Sequence, residues 1–493
     1  MRARWGLLPV LVLLSACPQR VHRSLVSPGQ VASLDRRAPY LKAHLKDGSL
    51  LVLSKWAVSV DGQRVSGQGS RFDPARLPIG NGTQEVAVRD VALFETNVVS
   101  VAGTVAPLAI MTGVTGTIAA ICAANPKSCF GSCPTFYASD GEREVLMAEG
   151  FSGSVAPSLE ATDVDALFEA RPGSRELSLR MTNEALETHV VKLVHVLAVP
   201  RAPGGRVFAA PHGDFWQTGR LAPPVRCRAA EGDCLGAVLA FDHRERASST
   251  DPEDLAARET LELEFDAPEG SGQLGIVVGA RQTLVTTYLF YQFLAYLGRE
   301  AVAFLASLER APALVAHARE LDRLVGGIEV LDSGVPVGEV GETGPIASDV
   351  KVVPLSGAAR AGERTRIVLR LARGMWRLDW VALTRLAGRA TPVRLAPDDV
   401  TGPRGARAFP LVTLPGDEVR MRFALPAGPH ELFLESRGYY LEWMREAWLL
   451  EEDLPRAARM LADPRAALRE LAPAFKRLEA TMDQVFWRSR YAR

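Results

Sequence analysis

The chain carries no excess of charge. Its 57 Lys and Arg are balanced by 57 Asp and Glu over 493 residues, with eight His besides. Without a net field of one sign nothing draws the molecule to a phosphate backbone, so nucleic acid is not an expected partner. Familiar enzyme signatures are missing too. No phosphate-binding P-loop, paired-His zinc helix or Gly-x-Ser-x-Gly elbow occurs. Gly270-x-Gly272-x-x-Gly275 has the letters of a dinucleotide fingerprint, yet Ile276-Val277-Val278 continue as a strand where a phosphate-holding helix would have to begin. A hairpin turn is the expected reading. What remains is a globular composition, 47% hydrophobic and 23% charged, long enough for roughly three domains.

Arg2 and Arg4 make a basic start, residues 5–14 form an apolar run too short to span a bilayer, and Ser15-Ala16 supply the small residues of a cleavage site. Leu14-Ser15-Ala16-Cys17 resembles the bacterial lipobox. The resemblance implies a signal peptide over 1–16 and a lipoprotein whose Cys17 becomes the acylated first residue, its chains, palmitate among them, holding it on a membrane. Pro18, not Asp, follows Cys17; by resemblance to lipoprotein sorting in Gram-negative bacteria this implies the outer membrane. A cleaved signal with an incidental cysteine, or a plain anchor, is the competing reading.

Export favours disulfides over zinc or reactive thiols. Cys129 and Cys133 are separated by Phe-Gly-Ser, and Cys227 and Cys234 bracket a polar loop, so each pair is expected to close locally and leave Cys122 over. A four-cysteine metal site is the alternative, but both spacings miss the two-residue knuckle of structural zinc. No metal and no cofactor is expected.

The expected fold is mainly β with helical segments (α+β), having two β-sandwich-like domains and a small N-terminal β unit. Residues 17–44, broken by Pro18 and Pro28, read as a tether, and 45–95 as the small β unit with strands over 50–60 and 85–94. Residues 96–127 form an apolar segment. Within it 98–124 is long enough for a membrane span, while Pro107, four Thr and three Gly suit a buried or membrane-apposed helix. Residues 128–281 read as the first sandwich, with an alternating strand at 176–181, a run at 190–199 apolar on both faces, and further strands at 235–241, 260–265 and 274–278. A helical block follows over 282–327, where the aromatic stripe of 284–297 reads as core. The second sandwich covers 328–437, and helices cover 438–493, with Pro473 expected to break the last of them.

Phe265-Asp266-Ala267-Pro268-Glu269-Gly270 is matched by Phe423-Ala424-Leu425-Pro426-Ala427-Gly428, and each leads at equal spacing into an apolar strand and then an aromatic segment. This suggests a repeated strand, turn, strand and helix unit, although hairpins commonly share such turns. Cys133-Pro134-x-x-Tyr137 and, further on, Asn183-Glu184-x-x-Glu187-Thr188 resemble elements found in that order in a group of uncharacterised bacterial surface and periplasmic proteins. The resemblance covers about residues 128–200. It implies a shared domain and lends no catalytic residue.

Candidates for chemistry are two loop pairs, His212 with Asp214 and Asp242 with His243, either of which could set an imidazole beside a carboxylate. Neither comes with an identifiable nucleophile, and satisfied turn histidines are the plainer reading. His189 and His195 are expected on one strand face about 20 Å apart, too far to share a metal. The expectation is a lipid-anchored envelope protein, a non-enzymatic binding or scaffold body for a protein or glycan partner. The alternatives are an envelope-polymer hydrolase using the 210–245 loops, and an envelope-assembly factor that inserts 98–124 into lipid.

Overall fold

The computed structural model describes residues 19–101 (apart from 27, 46–48 and 73–77), 133–301 (apart from 174 and 186), 304–305, 324–442 (apart from 342, 358, 404, 407 and 415) and 451–489. The chain divides into two compact units, Met1–Gly113 and Val114–Arg493. Both are mainly β, with antiparallel sheets and few helices.

In the smaller unit six antiparallel strands lie in the spatial order Gln19–Val26, Val91–Val101, Tyr40–Leu45, Leu50–Val58, Arg64–Phe72 and Pro78–Ala87. Alternation buries Leu41, Ala43, Leu51, Leu53, Val65 and Phe94 in one core. Gly69 is required where two strands approach: a Cβ there would come within 1.8 Å of the Val52 carbonyl oxygen.

The expected tether over 17–44 is corrected, because two of these strands fall within it. Pro28 opens a short turn, Pro28–Ser33, between them instead of loosening the chain. The strand Val91–Val101 also runs into the expected apolar segment, so 98–101 are β. Residues 102–124, with Cys122, lie outside the described residues, as do Cys17 and Cys129. Among the described residues no helix is long and apolar enough to cross a membrane.

Eight long strands frame the larger unit: β1 (Glu176–Thr182), β2 (Glu187–Pro200), β3 (Arg258–Asp266), β4 (Leu274–Gln282), β5 (Arg364–Ala372), β6 (Trp376–Ala390), β7 (Glu418–Ala424) and β8 (His430–Glu442). The outer four pair among themselves, and so do the inner four. β1 pairs with β7 and β2 with β8, whereas β3 pairs with β5 and β4 with β6, all antiparallel. The two sequence-contiguous sandwiches expected over 128–281 and 328–437 are therefore corrected. Each sheet draws strands from both stretches, and the inner pairs are nested within the outer ones.

Apolar clusters join these four sheets in series. Leu177, Leu179 and Met181 of β1 meet Val191, Val194 and Val196 of β2, with Met421 and Phe423 of β7. The opposite face of the β2–β8 sheet, through Leu197, Val199 and Phe433, shares a cluster with Phe208, Val277 and Trp380 of the β4–β6 sheet. That sheet in turn packs Ile276, Val278 and Leu383 against Leu261, Leu263 and Leu369 of the β3–β5 sheet. The sheets in the middle are covered on both faces, which is why β4 is buried at every position while β3 and β7 alternate with solvent. The β4–β6 sheet curls until Phe215–Thr218 pairs with both Arg206–Ala209 and β6, closing a ring of five strands.

The matched turns at 265–270 and 423–428 have equivalent roles, since each carries the chain from one sheet to the next. A corner between sheets replaces the expected hairpin at Gly270-x-Gly272. After β4 the helix α1 (Val285–Leu297) packs Tyr288, Tyr296 and Leu294 into the core. After the second turn β8 stays extended through Tyr439 and Tyr440 to Glu442, where a helix was expected to begin; 443–450 lie outside the described residues. Most of the expected helix over 301–324 does so as well. The expected strand at 235–241 is a short turn, Leu235–Ala237, followed by a single bridge from Leu239 to Trp380.

Asp453 caps α2 (Leu454–Ala462) by accepting from Arg456 N at 3.0 Å, and Asp463 caps α3 (Pro464–Ser489) by accepting from Ala466 N at 3.0 Å. The expected break at Pro473 is corrected. α3 continues through it, with Leu468, Leu471, Ala472 and Phe475 buried on either side so that packing holds the turn that lacks a donor.

Candidate functional site

The four residues put forward for chemistry are not brought together. His212 is exposed at the tip of the tight loop between Arg206–Ala209 and Phe215–Thr218. Asp214 Oδ1 accepts instead from Arg389 Nη1 at 2.9 Å, and that guanidinium lies 5.2 Å from the centre of the Trp216 ring. Asp242 closes its own loop, its Oδ1 accepting from Arg244 N at 3.0 Å.

Of the four, His243 lines a cleft. Its φ of +65° is a left-handed conformation that a non-glycine residue keeps only when its surroundings impose it. The constraint is Asp379, a fully buried residue of β6, whose Oδ1 accepts the backbone N–H groups of Asp242 at 3.2 Å and His243 at 2.9 Å. Asp379 Oδ2 lies 3.8 Å from His243 Nδ1, while His243 Nε2 lies 3.3 Å from Glu169 Oε1. Burial pushes the Asp379 carboxyl up to about 6, with the two backbone donors and His243 pulling the other way. The cleft holds about 200 Å³, and Glu169, His243 and Ser348 are among its lining. Chemically this is an imidazole between two carboxylates, a group able to accept and return a proton. Neither carboxylate was visible from sequence, because they stand 74 and 136 residues from His243 on other strands and loops, with no shared motif.

The two short elements behind the family resemblance meet in space. Cys133 N donates to Glu187 Oε2 at 3.3 Å, Tyr137 OH to Glu184 Oε1 at 2.8 Å, and Asn183 Nδ2 to the Glu187 carbonyl at 2.9 Å. Behind them Glu187 Oε2 is 3.1 Å from His189 Nε2, and Tyr291 OH donates to Glu442 Oε1 at 2.9 Å. Burial pushes the His189 imidazole down to about 3 despite the pull of Glu442, and raises the Tyr440 hydroxyl well above its usual range. This polar knot ties α1 and β8 to the corner between β1 and β2.

The shared strand face expected for His189 and His195 is corrected. A bulge between Val191 and Leu193 shifts the register against β8, so Val191 before it and Val194 after it point into the same cluster. His195 falls on the other face, with Nδ1 2.9 Å from Glu435 Oε2.

Of the expected disulfides, Cys227–Cys234 is present and closes a hairpin. The partner assigned to Cys133 lies outside the described residues; Cys133 itself is buried, with Sγ 3.9 Å from Glu149 Oε1. Among the described residues no group of three or more His, Cys, Asp or Glu side chains is arranged to hold a metal ion.

No sequence motif marks a second concavity, of about 550 Å³. Phe168 lines both it and the His243 cleft, so the segment around residue 168 divides the two. Residues from 167–175, 201–206 and 425–432 wall this groove, and its charged members come from three separate stretches. No family model and no curated protein matches the chain.

Proposed function

We propose that the chain is a lipid-anchored protein of a bacterial outer membrane whose β body binds a protein or glycan partner without transforming it. The observation that carries this reading is the Cys227–Cys234 disulfide, a bond suited to an oxidising compartment, in a chain whose start has the signal and lipobox pattern ending at Cys17. Nested strand pairing supports a rigid body, the form in which a binding surface loses least entropy when occupied. The test is the intact mass and fractionation of the mature protein. A protein that begins at acylated Cys17 and sediments with outer membranes is expected, as is a Cys17→Ser variant that loses both properties. A soluble, unacylated wild-type protein would overturn the reading.

His243, held between Glu169 and Asp379 in a cleft, favours a second reading as a hydrolase of an envelope polymer, with the imidazole as general base. Loss of polymer turnover in both His243→Ala and Asp379→Asn would support it. Turnover unchanged in both would end it.

A further inference from the structure

The larger groove has a charge that the chain as a whole lacks. Overall, 57 basic residues balance 57 acidic ones, yet the groove is lined by Arg171, Arg175, Arg201, Arg206 and His430 against the single carboxylate of Glu431. Glu431 is already committed. It takes the Arg206 guanidinium through both oxygens, and lies 3.8 Å from Arg201 Nε. Arg201 Nη1 donates to the Gly205 carbonyl at 3.1 Å, while its Nε is buried with no hydrogen-bond partner among the described residues. Arg171 Nη1 donates to the carbonyls of Phe168 and Ala170, both at 3.0 Å, and Arg175 is exposed; no carboxylate among the described residues pairs with either. Guanidinium groups gathered in a concavity and left short of counter-charge are built to receive carboxylate or phosphate oxygens in forked hydrogen bonds.

The rest of the wall narrows the class of ligand. The Arg206 guanidinium lies over the Phe168 ring of the groove at 4.3 Å, which takes the place a stacked nucleobase would need on that ring. Leu167 and Leu432 are buried, and the Pro426-Ala427-Gly428-Pro429 turn adds no large apolar side chain to the wall on which a peptide anchor could pack. A volume of about 550 Å³ suits a few sugar rings.

We propose that this groove is a binding site for an acidic saccharide, whose carboxylate or phosphate groups are held by Arg171, Arg175 and Arg201. The proposal rests on the reading of the chain as a binding protein and adds the chemistry of its partner. Arg206, locked to Glu431 and Phe168, is linked through that carboxylate to Arg201 and is not itself counted among the ligand-holding groups.

The test is calorimetric titration of the full chain with trigalacturonic acid, maltotriose, inorganic phosphate and phosphatidylglycerol vesicles in turn. Binding of trigalacturonic acid is expected, weakening as salt is raised, with none of maltotriose. Arg175→Glu and Arg171→Glu, both at exposed positions, are each expected to weaken it roughly tenfold or more, as loss of a charge-assisted hydrogen bond does. Arg366→Glu, the same charge change on the outward face of β5, is expected to leave it within about twofold. Binding that is equal in all four proteins places the saccharide elsewhere and overturns the groove. Binding of phosphate or vesicles alone, or of none of the probes, overturns the acidic saccharide. Anchoring through Cys17 is read separately by mass, so these failures leave that reading standing.

Discussion

Two buried side chains set opposite pH dependences. His189 is fully buried and its imidazole is pushed down to about 3, from an ordinary value near 6.5. Below pH 6.5 the unfolded chain takes up a proton that the folded one refuses. The stability His189 allows is thus complete above that pH and falls by about 1.4 kcal/mol per unit as the solution is acidified. Asp379 works the other way. Its carboxyl is raised to about 6, so its ionised form strains the fold above that pH, and stability returns as pH falls from 6 towards the ordinary value near 4. Single variants separate the two effects. In urea unfolding, the stability difference between the parent and His189→Gln is expected to shrink steadily from pH 6 to pH 4; a constant difference would show that His189 is protonated in the fold. Asp379→Asn keeps the oxygen that accepts from Asp242 and His243, so it is expected to be more stable than the parent at pH 8 and to lose that advantage by pH 4. A variant less stable at pH 8 would contradict the assignment.

Among the elements, the hairpin closed by Cys227–Cys234 carries the clearest energetic prediction. Both cysteines are buried against the β3–β5 and β4–β6 sheets, and the bond closes a loop seven residues in span. Constraint of the unfolded chain by so short a loop is worth about 2–3 kcal/mol, so Cys227→Ala with Cys234→Ala is expected to lower the unfolding free energy by that amount and preserve the far-ultraviolet spectrum. Loss of the β spectrum would mean that the bond organises the sheet instead of stapling it. This element was legible because a polar loop bracketed by two cysteines announces a hairpin. The double-sided apolar runs of β2 and β4 were legible for a similar reason: only strands covered on both faces can do without alternation. The bulge at Val191 and Leu193 was not, since one extra residue leaves an apolar run looking unchanged. Its partner strand shows how tightly it is set. At Gly438 a Cβ would lie 2.3 Å from the Val190 carbonyl oxygen.

At the scale of the molecule, the mainly β character could be read from alternation, whereas the pairing could not. Local alternation says that β1 and β7 are strands with one wet face. It does not say that residues 176–182 find 418–424 across more than two hundred residues. The arginines of the groove were hidden for the same reason, being scattered between 171 and 206 and given a common wall only when β8 and its turn close against β2. Asp379 and Glu169 likewise become neighbours of His243 only after β6 is in place.

Nested pairing is thus the claim on which both concavities depend, and it makes the two stretches of sequence inseparable. β1 to β4 contain half of each long strand pair, and without β5 to β8 they would expose unpaired edges and both buried faces of β2 and β4. The direct measurement is thermal unfolding of residues 133–281 produced alone, followed by circular dichroism beside the full chain. No cooperative transition is expected from the fragment, in contrast to the full chain. A fragment that unfolds cooperatively with a β spectrum of its own would show that the first stretch is a self-sufficient domain, and would contradict the nested body together with the groove built on it.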